Sequence, residues 1–295
     1  MTGVAAREDR RSAGIALMIA AFAFFTCIDA SAKWLVQAGM PAMQVVFVRY
    51  AVHMAMVAVL FLPQEGLGLF RSDAWGAEAM RSFFLLASTI FNFLAVIYLP
   101  LTLTAAIFFT VPLWVCALSV PLLGERVGPR RWAAILIGFC GVLIVTRPWS
   151  AEAHWAVLLS IGAAICASLY IILTRRLAGV DSTATQQFYA AALASLAIAP
   201  VAFADWQWPE TQTDWTAFAL IGVVGWAGHQ LLTVAHRFAP ASTLAPFVYV
   251  QIIFMTAASW LIFSDPPDPW VFVGAAVVLL SGLYIWLRER QIEDA

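Results

Sequence analysis

Charge is scarce in this chain. Of 295 residues only 11% are Asp, Glu, Lys or Arg, and Lys33 is the only lysine. A soluble domain carries about 25% charged residues, so a water-facing surface of this size is left without the groups to cover it. The net charge of −1 offers no basic field to nucleic acid. Cysteine is nearly as sparse. Cys27, Cys116, Cys140 and Cys166 each sit in an apolar stretch without metal-ligand spacing, and they read as small buried hydrophobes. No cofactor or metal is expected. Also missing are a phosphate-cradling G-x-x-x-x-G-K-[ST] loop, an H-E-x-x-H zinc helix and a G-x-S-x-G nucleophile elbow. Only Asp29 lies well inside an apolar run, so an aspartyl dyad cannot be assembled. These absences argue against an ATP-driven pump and against an intramembrane enzyme.

What is present is hydrophobic: 63% of the residues are apolar or aromatic and the mean hydropathy is +0.87. A membrane span needs about 20 mostly apolar residues. Ten stretches qualify, each bounded by charge, Pro or Gly. They are Gly14–Ala38, Ala42–Leu62, Ala79–Tyr98, Thr102–Leu123, Arg131–Thr146, Trp155–Thr174, Thr183–Phe203, Trp215–His236, Thr243–Phe263 and Trp270–Trp286. The expected fold is an all-α polytopic membrane protein with lipid as its main neighbour. Arg10 and Arg11, followed by an apolar run and Ala30-Ser31-Ala32, imitate a cleavable signal peptide. Removing that segment would spoil both the charge distribution and the repeat described next, so it reads as the first span.

Positive charge orients the spans. With the N-terminus inside, Arg7, Arg10, Arg11, Arg71, Arg81, Arg126, Arg130, Arg131, Arg175, Arg176, Arg237, Arg288 and Arg290 all fall on the inner side, whereas Arg147 alone falls outside. This is the positive-inside pattern, and it places both termini in the cytoplasm. Trp149, Trp155, Trp206 and Trp208 suit the outer interface.

The second half repeats the first in a constant register of 140 residues. Ala38-Gly39 answers Ala178-Gly179, Trp75 answers Trp215, Pro100 answers Pro240 and Pro129 answers Pro269. Glu65 with Asp205 and Glu125 with Asp265 are conservative pairs. Five spans per copy is an odd number, so the second copy enters from the opposite face. The expectation is two inverted five-helix repeats, residues 1–148 and 149–295, an architecture that supplies alternating access in many secondary transporters.

Within the first copy, Leu101 to Arg147 carries a mid-helix Pro112, an L-L-G-E ending from Leu122 to Glu125, and a G-x-x-G pair at Gly138 and Gly141. This stretch resembles the signature of EamA-type transporters of the drug/metabolite transporter superfamily. In the second copy Ile252, Asp265 and Val278 replace Pro112, Glu125 and Gly138, so the halves are unequal. The resemblance implies ten helices, with a cavity between the first four of each repeat and the fifth helices in support. It further implies an exporter of small metabolites, and the amino-acid exporters of the superfamily, aromatic amino acids included, give the specific expectation. The high Ala and Arg content with a single Lys points to a bacterial gene, and so to a bacterial inner membrane.

Polar residues inside a membrane are costly and mark function or structure. Asp29 and Lys33 are four apart on one helical face and able to pair, with Arg49 at a matching depth. They read either as a structural ion cluster or as a charge-linked site suited to a carboxylate. Ser88 and Asn92 share a face of the third span, while Trp226, His229, Gln230 and Thr233 cluster on the eighth. Tyr170, Tyr249 and Gln251 complete a candidate lining for uncharged or zwitterionic solutes. His229, and to a lesser extent His53, are candidates for proton coupling or for ordinary interhelical hydrogen bonds. Pro112 forces a kink that either lines the cavity or only packs. Gly138 and Gly141 read as a packing face. Glu125-Arg126 and Arg130-Arg131 read as a membrane-edge charge cluster or a gate. The expected partners are a small-molecule substrate, protons as the candidate coupling ion, and lipid. The chain is taken as a monomer or homodimer, and nucleic acid is excluded. The alternatives are a transporter of another metabolite or drug class, such as a nucleoside or a cationic drug, and a channel.

Overall fold

The computed structural model describes residues 11–123, 128–147, 149, 154–177, 180–238 and 250–293. Among these residues there are helices and turns but no strand. The helices are α1 (Arg11–Gln37), α2 (Ala42–Glu65), α3 (Trp75–Tyr98), α4 (Leu101–Phe108), α5 (Val111–Leu123), α6 (Pro129–Thr146), α7 (Val157–Leu177), α8 (Thr183–Ala202), α9 (Gln212–Phe238), α10 (Gln251–Phe263) and α11 (Pro269–Glu293). Five helical runs are long and apolar enough to cross a membrane: Ser12–Gln37, Ala42–Phe70, Trp75–Tyr98, Val157–Thr174 and Gln212–Ala235. Among the described residues, length and composition therefore establish five of the ten stretches read from the sequence as spans and do not by themselves establish the rest. One physical reason is that the fourth stretch is broken. A second is that α8 opens on the polar residues Thr183, Thr185, Gln186 and Gln187.

The break separates α4 from α5 at Phe109 and Thr110, just before Pro112. Proline lacks an N–H and its ring crowds the carbonyl four residues back, so the helix cannot run through. The Thr110 hydroxyl and amide both donate to the Ile107 carbonyl, at 2.6 and 3.0 Å, and satisfy an acceptor that the break would strand. Phe109 is buried with Ala106, Leu113, Ala134 and Val278. The kink is therefore a packed one. Another turn follows its sequence directly: Gly39 adopts φ +96° after α1, where the Met40 amide reaches back to the Leu35 carbonyl at 3.1 Å. A left-handed residue suits that close of a helix, and glycine adopts it without strain.

Helices pair across the two halves. α1 packs on α9 and α3 on α7, while α2 packs on α8, α6 on α11 and α4 on α10. Exchanging first-half helices with their second-half counterparts turns α1–α9 into α7–α3 and leaves α2–α8 and α6–α11 unchanged. The α6–α11 contact carries the same symmetry at residue level. A Cβ on Gly138 would lie 3.2 Å from Ser281 Oγ, and one on Gly141 would lie 2.8 Å from Val278 Cγ2. In the 140-residue register these two contacts are images of each other. The small residues thus permit close approach, as their spacing predicts. Outside, Leu136, Leu158, Leu196, Leu261 and Leu280 are each more than 60% exposed, an exterior suited to lipid. Cys27 and Cys140 are exposed too, which corrects their reading as buried hydrophobes. Cys166 is half-buried, and the Cys116 side chain lies outside the described residues.

Candidate functional site

The bundle has two ends, and they are closed differently. At the end where α1 finishes at Gln37, charged and amide groups tie the two halves together. Lys33 Nζ donates to Asp265 Oδ2 at 2.9 Å and to the Leu99 carbonyl at 3.2 Å, and lies 4.8 Å from the Phe263 ring centroid. Trp34 Nε1 donates to Asp214 Oδ1 at 2.8 Å. The Gln44 amide donates to the Gln207 carbonyl and accepts from the Gln207 amide, and Arg147 pairs with Asp268. The lysine and the arginine come from first-half residues and their carboxylates from second-half residues.

At the opposite end, where α2 finishes at Glu65, Ser182 donates to Glu65 Oε2 at 2.8 Å, Ser72 donates to Asp181 at 2.6 Å, and Tyr189 donates to the Phe70 carbonyl at 2.9 Å. Beneath these ties lies Arg81, only 2% exposed. Its Nε donates to Glu78 at 3.0 Å, and its other nitrogens donate to Tyr170 Oη at 3.3 Å and to the Gln186 carbonyl. Between the helix ends a cavity of about 410 Å³ is lined by Phe61, Glu65, Thr183, Ala184, Gln230, Thr233 and Val234. Glu65 and Thr183 at its mouth are exposed, whereas Ala184 on its wall is buried.

A polar seam runs inward from that cavity between α2, α8 and α9. Arg49, His53, Val57, Phe61 and Glu65 recur every fourth residue of α2 and form one ridge that winds slowly around the helix. On α9, Trp226, Gln230 and Val234 do the same. Gln187 of α8 donates to Gln230 at 3.1 Å and bridges the seam just above the cavity. Deeper in, the His53 ring lies 5.9 Å from the His229 ring, and Phe25 meets His229 edge-on at 5.1 Å. Deepest is Arg49. Its Nη1 donates to Thr89 at 2.8 Å, and its guanidinium stands 4.6 Å from the Tyr50 ring. Glycine lets α9 lie this close: a Cβ on Gly222 would meet the Arg49 carbonyl at 2.9 Å, and one on Gly225 would stand 3.8 Å from Arg49 Nε. Along this seam Arg49 Nε and Trp226 Nε1 are buried without a hydrogen-bond partner, while His53 bonds the Gln187 side chain.

The residues anticipated from sequence divide accordingly. Gln230 and Thr233 line the cavity, and Trp226 and His229 lie along the seam above it. Others do different work. Asp29 and Lys33 do not pair, because Lys33 is drawn to Asp265 on the opposite half while Asp29 accepts from Asn92 Nδ2 at 2.7 Å. Arg49 joins neither by an ion pair. Ser88 donates to the Ala163 carbonyl at 2.9 Å and holds α3 against α7. Tyr170 serves Arg81. Pro112 stands just after the break between α4 and α5 and is not among the residues lining the cavity. Gln251 is half-buried at the first turn of α10, and Tyr249 lies outside the described residues, as do Glu125 and Arg126. Arg81, counted from sequence as an inner-edge charge, is buried within α3. Sequence reading missed Gln187 and Glu65. Both carried a signal, Gln187 as an amide within an apolar stretch and Glu65 as the end of the every-fourth-residue series through Arg49 and His53.

Comparison with known proteins adds chemistry to this geometry. The model of the EamA-like transporter family matches the chain twice, over residues 12–147 and 154–287. A riboflavin transporter of Vibrio cholerae serotype O1 is 30% identical over 290 residues, covering 95% of this chain and 97% of the relative. One from Rhizobium johnstonii is 26% identical over 99% of this chain and 97% of its own length. A pseudopaline exporter of Pseudomonas aeruginosa is 26% identical over 92% and 95% respectively. All three are named as transporters, and none as an enzyme.

Proposed function

The chain belongs to the EamA-like transporter family, and from that premise we propose that it is a secondary transporter whose substrate enters by the cavity at the Glu65 end. It is a multi-pass membrane protein and not an enzyme. The observation that carries the proposal is the contrast between the ends. A cavity of about 410 Å³ opens beside Glu65, while Lys33–Asp265, Trp34–Asp214 and Gln44–Gln207 hold the two halves together at the Gln37 end. A carrier exposes its site to one side at a time. The exchange symmetry of the helix pairs supports ten spans arranged as two inverted repeats, residues 1–148 and 149–295. With both termini in the cytoplasm of a bacterial inner membrane, the cavity faces inward. One chain supplies both walls of the seam, so a monomer suffices and a homodimer is not required. His53 and His229 are the candidates for moving a proton with the substrate.

The substrate we propose first is riboflavin or a flavin-like planar heterocycle, ahead of the amino acids suggested by the sequence. The riboflavin transporters of Vibrio cholerae and Rhizobium johnstonii align over nearly the full length, and rings and amides along the seam suit a flat polar heterocycle. Purified protein in liposomes loaded with unlabelled riboflavin is expected to accumulate labelled riboflavin by counterflow. Flux equal to that of empty liposomes, alongside counterflow of a labelled amino acid or nucleoside, would replace riboflavin with that solute. Flux that neither saturates nor shows counterflow would make the protein a channel. Comparing inside-loaded with outside-loaded vesicles gives the direction.

A further inference from the structure

Resting on riboflavin-type transport through this seam, we infer that Arg49 docks the substrate through the Nε–Nη2 edge of its guanidinium, which takes two adjacent neutral acceptors on a flat heterocycle. The starting point is a contrast among the buried cations. Arg81 has each of its guanidinium nitrogens bonded, to Glu78, to Tyr170 and Thr174, and to the Gln186 carbonyl. Lys33 bonds Asp265 and the Leu99 carbonyl. Arg49 is buried too, at 6% exposure, but only its Nη1 is bonded, to Thr89 Oγ1 at 2.8 Å. Its Nε is buried without a partner, and among the described residues Nη2 donates to nothing. Leaving buried donors unpaired is costly, and each one calls for an explanation.

Geometry sorts the held part of this group from the open part. Thr89 occupies Nη1 and is itself tied to Tyr50 Oη at 2.6 Å. The Tyr50 and Phe93 rings stand 4.6 and 5.9 Å from the guanidinium carbon. One end of the arginine is thereby fixed, and the edge formed by Nε and Nη2 is left whole. Its two N–H donors belong to one rigid plane, so their pairing needs no second residue. Nε faces α9 at Gly225, where a Cβ would stand 3.8 Å away, and glycine leaves that side without a side chain.

Charge and shape then select the ligand. None of the ion pairs among the described residues includes Arg49, yet Asp29 acts on it electrostatically from beyond that distance. Negative charge is supplied from within the bundle, and hydrogen-bond acceptors are what the arginine lacks. The arginine fork reads such a pair on a neutral ring, a carbonyl oxygen beside a ring nitrogen, as it does on guanine. The flavin ring carries this pair twice, as O4 with N5 and as O2 with N1.

The test measures displacement of labelled riboflavin from the purified protein by 1-deazariboflavin and 5-deazariboflavin, each with one ring nitrogen replaced by C–H. Wild type is expected to prefer riboflavin at least tenfold over one of the two, the scale of one buried hydrogen bond left unmade. The analogue that loses identifies the edge that docks. Arg49→Lys keeps the charge but not the fork, and is expected to lose that preference. Gly225→Ala guards against a folding failure in Arg49→Lys. Its Cβ meets Ile28 Cδ1 at 3.7 Å and Arg49 at 3.8 Å, ordinary contacts, and alanine favours the helix. The added methyl covers Nε, so riboflavin affinity is expected to fall toward that of the weaker analogue. Should wild type bind all three ligands alike, or either folded variant keep the full preference, the inference is overturned while riboflavin transport stands. If riboflavin 5′-phosphate outcompetes riboflavin and Arg49→Gln abolishes that advantage, the arginine reads an anion and the assignment falls. Absence of any riboflavin binding removes the transport reading and the docking edge together.

Discussion

The two halves share a helix pattern but not a chemistry. Asp29, Lys33, Arg49, His53, Glu78 and Arg81 all belong to first-half helices. In the 140-residue register their second-half counterparts are Leu169, Leu173, Tyr189, Leu193, Phe218 and Ile221, none of them charged. The second half answers instead with oxygen acceptors at the right places, such as Asp265 for Lys33 and the Gln186 carbonyl for Arg81. Two nearly equivalent folds can therefore exchange shapes while the seam between them stays chemically one-sided. Under the proposed function, a substrate meeting Arg49 and His53 on one wall and amides on the other would be held in one orientation.

The sharpest way to break this comparison is to make the first half resemble the second. Arg81 and Glu78 are 2% and 0% exposed and paired at 3.0 Å. Removing one partner of such a pair leaves a buried charge, at a cost of about 3–5 kcal/mol. Arg81→Met is expected to abolish or severely lower the yield of folded protein, measured by size-exclusion chromatography and thermal melting in detergent. The double variant Glu78→Leu/Arg81→Met, which imitates the apolar Phe218 and Ile221, is expected to regain part of that loss. A double variant no more stable than Arg81→Met would mean that the arginine matters through its bonds to Tyr170 and the Gln186 carbonyl rather than through charge balance.

Next in size is the contact where the halves are most alike. Gly141 faces Val278 Cγ2 and the Gly274 carbonyl, which a Cβ would meet at 2.8 and 2.9 Å. Gly141→Ala is expected to cost about 1–3 kcal/mol by overpacking, read as a lowered melting temperature with transport by the folded protein unchanged. Adding Val278→Ala relieves the side-chain clash but not the backbone one, and so restores only part of the loss. Full stability in Gly141→Ala alone would show that α6 and α11 have room to separate.

These expectations also show where sequence reading succeeded. The helical class, the family, the packing role of Gly138 and Gly141 and the kink at Pro112 were all legible, because each depends on local patterning or on a single backbone property. Partners were not. Asp29 and Lys33 sit four apart on α1 as pairing requires, yet Asp29 bonds Asn92 of α3 and Lys33 bonds Asp265 in the loop after α10. Nothing within α1 reveals that Asp265, 232 residues away, approaches Lys33, or that Asn92 reaches Asp29. Long polar side chains choose partners by tertiary proximity. The same holds for Ser88, whose expected place in a cavity lining gave way to the Ala163 carbonyl.

The Lys33–Asp265 pair yields a middle-sized effect that bears on transport more than on folding. Lys33 is buried, but the Asp265 side chain is 38% exposed, and solvent weakens such a pair to about 1 kcal/mol or less. Asp265→Asn keeps the shape and removes the charge. It is expected to shift melting only slightly while raising the reactivity of a cysteine placed at Gln37, as the tie between the halves loosens. Unchanged reactivity would assign closure of this end to Trp34–Asp214 and Gln44–Gln207.

The smallest effect is expected at the same end, where Arg147 meets Asp268. Both side chains are partly exposed, at 27% and 37%, so water competes for each charge and salt screens what remains. Asp268 also caps the start of α11, accepting from the Trp270 amide at 2.8 Å, and that bond does not need the arginine. Arg147→Gln is therefore expected to change melting by less than about 0.5 kcal/mol equivalent and to leave transport intact. Asp268→Ala, which loses the cap as well, costs about 1 kcal/mol. Equal effects from the two substitutions would mean that the ion pair carries the contact after all. In that case Arg147, the one arginine on the side proposed to face outward, would work beside Lys33 in holding that end shut.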